Sequence, residues 1–316
     1  MLTRFERLYL CLEPFFPPIY GAVREKLKAL VRSRSALHDG ASPRILDVGG
    51  RKSHYTIGVR GLITVSDLPR ETDLQKQLNL GANDATMAQT RARRSNIEDL
   101  IYDDMTESRL SDEEFDIVVS VEVLEHVERD GRFLDEVARV LKPGGVFLMT
   151  TPNGDFVRNT NPDHKRHYHR DQLLKLLSDR FSEARVDYAI VGGRSRRMGL
   201  RPWSPRRPLV TVGSMGANLV NRWLSRRPAV SGQSQGSYHL IAVAQKAGGA
   251  RFVDAPGSGA RVAARDRQRR GIHAARSALP HGLSVVSPLS KLGPGDRNGP
   301  DVLDRLDATR GAGLAR

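Results

Sequence analysis

Five apolar runs alternate with helical patterns between residues 44 and 151, and that alternation leaves the chain few folds to choose from. The runs are "RILDVGG" (44–50), "LITVSD" (62–67), "IEDLIYDD" (97–104), "FDIVVSV" (115–121) and "GVFLMTT" (145–151). Strands that are apolar throughout are buried on both faces, which requires helices on either side of a mostly parallel sheet. The segment before the fifth run, "EVLEHVERDGRFLDEVARVLKPGG", has helical spacing and stops at Pro143 and Gly144-Gly145. Two later candidates, 184–193 and 237–246, bring the expected strands to seven. The fold class is therefore α/β, with a doubly wound, mostly parallel, seven-stranded sheet.

Ahead of this unit, residues 1–43 read as a helical extension in which Val23, Leu27, Leu30 and Val31 share one face. The sheet unit itself spans 44–246. Between its sixth and seventh strands lies an Arg-rich insertion, 194–236, too long for a hairpin turn. Within it, Leu209, Val212, Met215, Leu219, Val220 and Trp223 fall on one side of a helix. Residues 247–316 hold Phe252 as their one Phe, Tyr or Trp and are expected to be disordered, for want of apolar mass to offset ordering entropy.

Charge follows the same division. Residues 1–190 carry 28 Lys/Arg against 30 Asp/Glu, and residues 191–316 carry 22 against 6. No acidic residue falls between Asp187 and Asp254. The basic excess thus belongs to an accessory surface rather than to the sheet unit. A single cysteine, Cys11, excludes an internal disulfide framework and fits a reducing compartment. No apolar run approaches a membrane span and no secretory leader is read at the N-terminus. The expected location is cytoplasmic, with room for a peripheral membrane attachment.

In open parallel sheets, ligands sit beyond the carboxyl ends of the strands, where strand order reverses. That directs attention to Asp47-Val48-Gly49-Gly50, Asp67, Asp103-Asp104-Met105 and the segment from Glu122. Asp67 ends the second strand, where a carboxylate accepts both hydroxyls of a ribose. The glycine turn lacks G-x-G-x-x-G spacing, with Arg51 and Ser53 where a pyrophosphate needs close backbone approach. A nucleoside ligand without phosphates suits this turn better.

These residues and those that follow them resemble the class I S-adenosylmethionine-dependent methyltransferases, a Rossmann-like family. "ILDVGG" resembles the family's first motif, usually D/E-x-G-x-G, and "YDDMTESRLSDEEFDIVVSVEVLEHV" is similar to its third and fourth in order and spacing. "VLKPGGVFLMTTPN" looks like the stretch around the fifth strand in the subgroup that holds ubiquinone-pathway and natural-product methyltransferases, and "DHKRHYHRDQL" resembles a segment bordering the acceptor site. The resemblance implies S-adenosyl-L-methionine as donor. It implies that Asp47, Gly49 and Gly50 form the turn facing its methionine portion and that Asp67 binds the ribose. Asp104 would meet the adenine amino group and Met105 the adenine ring, while Val121 and Glu122 line the other side.

At the acceptor end, a hydroxyl being methylated must lose its proton to a base or a metal-bound site. Glu122, Glu125 and His126 are spaced i, i+3, i+4, as on one helical face, and His164 lies in the loop after the fifth strand. His126 and His164 are the candidate general bases. Glu122, Glu125, His126 and His164 together form an alternative divalent-metal set, with the metal-free version preferred. His167 and His169 are read as solvent-facing or loop-ordering. The expected function is methyl transfer to a small-molecule, glycan or lipid-linked acceptor, at oxygen. One competing reading is an RNA-modifying enzyme that holds phosphates with the basic C-terminal part, although few aromatics stand there for base stacking. Another is a non-catalytic module whose donor site is blocked by Arg51 and Ser53. The insertion 194–236 also suits contact with an anionic membrane surface.

Overall fold

The computed structural model describes residues 1–37, 40–52, 54–70, 81–248 and 261–263. Helix α1 (Arg4–Leu12) begins with a reciprocal cap, in which the Thr3 hydroxyl accepts from the Glu6 amide and Glu6 accepts from Thr3. Helix α2 (Pro18–Leu37) starts on a proline, whose absent N–H would have had no partner in the first turn. The chain then alternates through β1 (Arg44–Val48), β2 (Leu62–Asp67), α3 (Asp84–Arg93), β3 (Ile97–Tyr102), β4 (Phe115–Val121), α4 (Asp130–Val140), β5 (Leu141–Pro152), α5 (Arg170–Ser178) and β6 (Glu183–Val191). Two further helices, α6 (Gly193–Gly199) and α7 (Pro208–Ser225), precede β7 (Ser237–Gln245) and a short β8 (Arg261–Ala263).

The strands form one sheet in the order β3-β2-β1-β4-β5-β7-β6-β8. Neighbours from β3 to β5 are parallel, while β7 runs antiparallel to both β5 and β6. The order reverses between β1 and β4, so the crevice predicted from connectivity opens above Val48 and Val121. Alternation of side chains along the strands divides the core into two layers. On one face Leu46, Val118 and Phe147 pack with Phe133, Leu134 and Val137 of α4 and Leu173 and Leu177 of α5. On the other, Ile45, Ile117, Val119 and Leu148 meet Val23, Leu27, Leu30 and Val31 of α2. Helix α2 thus covers the middle of that face, and each of its four apolar residues contributes about 1.5–3 kcal/mol by burial.

Several expectations need correcting. Helix α4 ends at Val140 and Leu141 already pairs with Phe115, so Pro143-Gly144-Gly145 lies inside β5, beside a register shift, instead of stopping the helix. The sheet has an eighth strand, because Arg261–Ala263 pairs antiparallel with β6 from within the segment expected to be disordered. Residues 249–260 and 264–316 of that segment lie outside the described residues. The apolar stripe expected of the insertion lies on α7 and faces outward, while the residues that α7 buries are Ser214, Asn218 and Asn221. No helix among the described residues is long and apolar enough to cross a membrane.

Candidate active site

The turn after β1 is built on two glycines that no other residue could replace without movement. Gly49 has φ 69°, and a Cβ there would lie 2.7 Å from Val123 Cγ2. At Gly50 a Cβ would run into the Asp47 carboxyl, 2.3 Å from its Cγ. Asp47 is completely buried beneath this turn. Its carboxylate accepts from Tyr55 Oη at 2.5 Å and from Thr56 Oγ1 at 3.4 Å. Thr56 is held in turn by Arg94, whose Nη2 donates to Thr56 Oγ1 at 2.8 Å, and by Asn96, which donates to its carbonyl. Burial pushes the Asp47 carboxyl up to about 7, against the pull of Tyr55, Arg94 and Thr56. Asp47 therefore shapes the turn from below.

Asp67, at the end of β2, accepts from the Leu68 amide at 2.9 Å and lies 3.6 Å from Arg51 Nε. Both side chains are largely withdrawn from solvent. Arg51 thus turns back onto the carboxylate expected to hold the ribose; Ser53 lies outside the described residues. After β3, Asp104 is exposed and accepts from the amide and hydroxyl of Thr106, as a turn cap does. Met105 is buried in the core layer with Leu46, Val48 and Leu124. Val121 is half-buried at the end of β4, against the α2 layer.

Beyond β4 the backbone departs from the expected helix. Glu122 takes a left-handed φ of 55°, and Leu124–His126 form one tight 3-10 turn, so Glu122, Glu125 and His126 do not share a helical face. The strained Glu122 instead points to β5 and β7. It accepts from Thr150 Oγ1 at 2.8 Å and from His239 Nδ1 at 3.2 Å. Burial would raise its carboxyl, but the His239 charge and hydrogen bond, with the Thr150 bond, hold it below the usual range. Glu122 and His239 line a cleft with Pro17, with Ile19 and Tyr20 at the start of α2, with Ile190, and with Arg196 and Asn218 of the insertion.

His126, His164 and Glu125 come together as the spacing alone did not require. Their potential ligand atoms lie within 4.8 Å of one another. The two rings meet edge to face at 4.6 Å between centroids. His126 Nδ1 faces the Asp163 carbonyl at 3.3 Å. A carbonyl only accepts, so the neutral ring carries its proton on Nδ1 and a lone pair on Nε2. The same logic runs from the Val157 carbonyl through His167 Nδ1, at 2.9 Å, to His167 Nε2 and His164 Nδ1, at 2.8 Å. His164 is left with its own lone pair on Nε2. Burial lowers the pKa of both rings, that of His164 to about 4 with help from the charges of His126 and His167. Glu125 is fully buried and accepts from Thr151 Oγ1 at 3.1 Å. One carboxylate and two imidazole lone pairs can act as proton acceptors or hold a divalent ion. His167 orders the loop, as expected, and His169 does so by bonding Asp155 at 2.8 Å.

Comparison with known proteins adds an independent line. Residues 74–149, from before β3 to the middle of β5, match the family model of a methyltransferase domain. Over those residues the chain is similar to a methyltransferase domain. It is 37% identical over 108 residues to a probable S-adenosylmethionine-dependent methyltransferase of Mycolicibacterium smegmatis, covering 33% of this chain and 42% of that one. A ubiquinone biosynthesis O-methyltransferase of Chelativorans sp. is 29% identical over 127 residues, covering 40% of this chain and 50% of the relative. The chain spans about half or less of the length of these curated relatives. Among solved structures, an S-adenosylmethionine-dependent methyltransferase of Thermotoga maritima overlays with a TM-score of 0.46 at 14% identity, over 77% of this chain and 94% of the other.

The residues that the resemblance assigns to the donor stand at the carboxyl ends of neighbouring strands: Gly49 and Gly50 after β1, Asp67 ending β2 and Asp104 two residues beyond β3. Asp67→Ala is expected to weaken S-adenosylhomocysteine binding by about 1–3 kcal/mol, the scale of a lost charged hydrogen bond. Titration calorimetry checks this; unchanged affinity would remove Asp67 from the site, and NADH binding in the same crevice would overturn the reading of the turn. Sequence reasoning missed His239, Tyr55, Thr56, Arg94 and Asn96. His239 lies opposite Pro152 in the antiparallel register of β5 and β7, a relation that no local pattern announces.

Proposed function

We propose that this methyltransferase domain methylates oxygen on a small-molecule, glycan or lipid-linked acceptor, with His126 taking the acceptor proton and no metal required. The observation that carries the reading is the pair of imidazoles beyond β4 and β5, each oriented by a carbonyl or a second histidine so that Nε2 keeps a lone pair. Burial keeps both rings neutral at pH 7, the state a general base needs. S-adenosylmethionine, when bound, supplies a sulfonium methyl for in-line displacement. The residues' part is to align the acceptor hydroxyl and receive its proton at His126 Nε2 as the C–O bond forms.

The cleft beside Glu122 and His239 supports a partly apolar acceptor, since Pro17, Ile19, Ile190 and Leu200 line it along with its polar groups. The similarity to a ubiquinone biosynthesis O-methyltransferase supports oxygen as the atom methylated. The test is transfer of labelled methyl from S-adenosylmethionine to fractionated polar and lipid extracts, with and without chelator. Label entering an amine product, or abolished by chelation and restored by Mg²⁺ or Mn²⁺, would replace this reading with N-methylation or with a metal site at Glu125, His126 and His164.

A further inference from the structure

Helix α7 is amphipathic in the wrong sense for a lid. Helices that merely cover a sheet turn their apolar stripe inward. Here Leu209 is 87% exposed, Val212 66%, Val220 51% and Trp223 63%, with Leu219 beside them. The inward face is polar and closely bonded. Ser214 Oγ donates to the Gly199 carbonyl at 2.8 Å and accepts from Trp203 Nε1 at 3.2 Å. Asn218 Nδ2 donates to the carbonyls of Phe15 and Gly199 at 2.8 and 2.9 Å, and Asn221 Nδ2 to that of Val191 at 2.7 Å. Turning the stripe inward would leave these buried polar groups without partners, so the packing holds the apolar face outward.

The charges that this stretch of chain itself places at the two ends of that face are positive. Arg206 and Arg207 precede the helix, and Arg226 and Arg227 follow it, with the Arg227 guanidinium over the Trp223 ring at 4.4 Å. Glu25 of α2 pairs with Arg222 and Arg226. Between Asp187 and Asp254 the chain itself supplies no acidic residue. An outward apolar stripe with an indole, ended by arginines, matches the boundary between acyl chains and anionic headgroups.

We propose that the outer face of α7 docks this protein onto an anionic phospholipid bilayer, with Leu209, Val212, Val220 and Trp223 entering the headgroup boundary and the terminal arginines meeting lipid phosphates. The inner face of the same helix lends Asn218 to the cleft beside Glu122 and His239. Docking would therefore hold that cleft within reach of the membrane surface. The proposal stands apart from the methyl-transfer reading, because vesicle binding is measured without donor or acceptor.

The experiment is cosedimentation of the full chain with vesicles of phosphatidylcholine alone or with about a third phosphatidylglycerol. Salt-sensitive binding to the anionic vesicles is expected, at least about tenfold weaker in a Leu209→Ser, Val220→Ser, Trp223→Ser variant. These side chains face solvent, and an unchanged melting temperature confirms the fold. If that variant melts lower, the Trp203→Phe protein, which keeps Trp223 as its one indole, decides: quenching by brominated lipid supports docking and its absence overturns it. Equal binding by a folded triple variant would move lipid affinity to the C-terminal segment and overturn the proposal. So would failure of the parent chain to bind, or a stripe that instead mediates self-association or salt-sensitive RNA binding.

Discussion

His126→Ala is expected to slow methyl transfer about 10²–10⁴-fold with S-adenosylhomocysteine affinity unchanged, the signature of a lost general base. Its Nε2 lone pair is set by the Asp163 carbonyl at Nδ1, and its neighbour His164 stands edge-on at 4.6 Å. A base works only while unprotonated. Burial lowers the His126 pKa, against the Asp163 carbonyl bond and the charges of Asp163 and Glu122, so the acidic limb of the rate profile should fall below the ordinary histidine range near 6.5. Glu125→Gln should be mild and chelators without effect. If the carboxylate change is as severe as the histidine change and Mg²⁺ restores a chelated enzyme, the three groups form a metal site instead. Full activity in both His126→Ala and His164→Ala, assayed with the true acceptor, would sink both versions.

The second large effect concerns stability rather than rate. Asp47 is raised to about 7 in the folded protein, chiefly by burial, from an ordinary value of 3.8. A carboxyl raised on folding favours the folded state below the unfolded value, and that contribution is lost as pH rises through the folded one. The difference corresponds to about 4 kcal/mol lost between pH 4 and pH 7. Asp47→Asn keeps the shape and an oxygen acceptor for Tyr55 but cannot ionise. Its stability relative to the parent should therefore climb with pH, reaching an advantage of up to about 4 kcal/mol at pH 8. Urea unfolding of both proteins across that range measures the difference. A variant less stable than the parent at pH 8 would mean that Arg94 and Tyr55 need the charge more than burial penalises it. Retaining an aspartate at such cost is consistent with a turn shaped for ligand rather than for stability.

Most of the sheet was legible because its signals are local. Ile45-Leu46, Ile63, Val65 and the 115–121 and 146–151 runs are apolar on both faces, and helices between them carry their own spacing and stops. The four apolar residues of α2 were equally plain, since one helix writes its buried face at a fixed period. Less legible was where β5 begins: Lys142-Pro143-Gly144-Gly145 reads as a helix stop, yet pairing with β4 already captures Leu141. A ladder bond from a distant strand outweighed the local turn signal.

The crevice shows the same division more sharply. Glycine spacing and strand-terminal carboxylates, read together with the family resemblance, pointed to a nucleoside donor without pyrophosphate, because backbone approach and ribose recognition demand particular residue types at particular strand ends. The helical period also placed Leu209, Val212, Met215, Leu219, Val220 and Trp223 on one side of α7. Whether that side faced the sheet or the solvent was decided only by Ser214, Asn218 and Asn221 finding carbonyls on Phe15, Val191 and Gly199. Likewise, Glu122 looked like the first residue of a helix carrying Glu125 and His126. Tertiary contacts with Thr150 and His239 instead accompany a left-handed backbone there, and His164 reaches His126 from a loop. Sequence determines what a local segment prefers, since side-chain period and backbone sterics act over a few residues. Which polar groups face one another across the crevice is set by strand register and long-range hydrogen bonds, and these exist only once the sheet has formed.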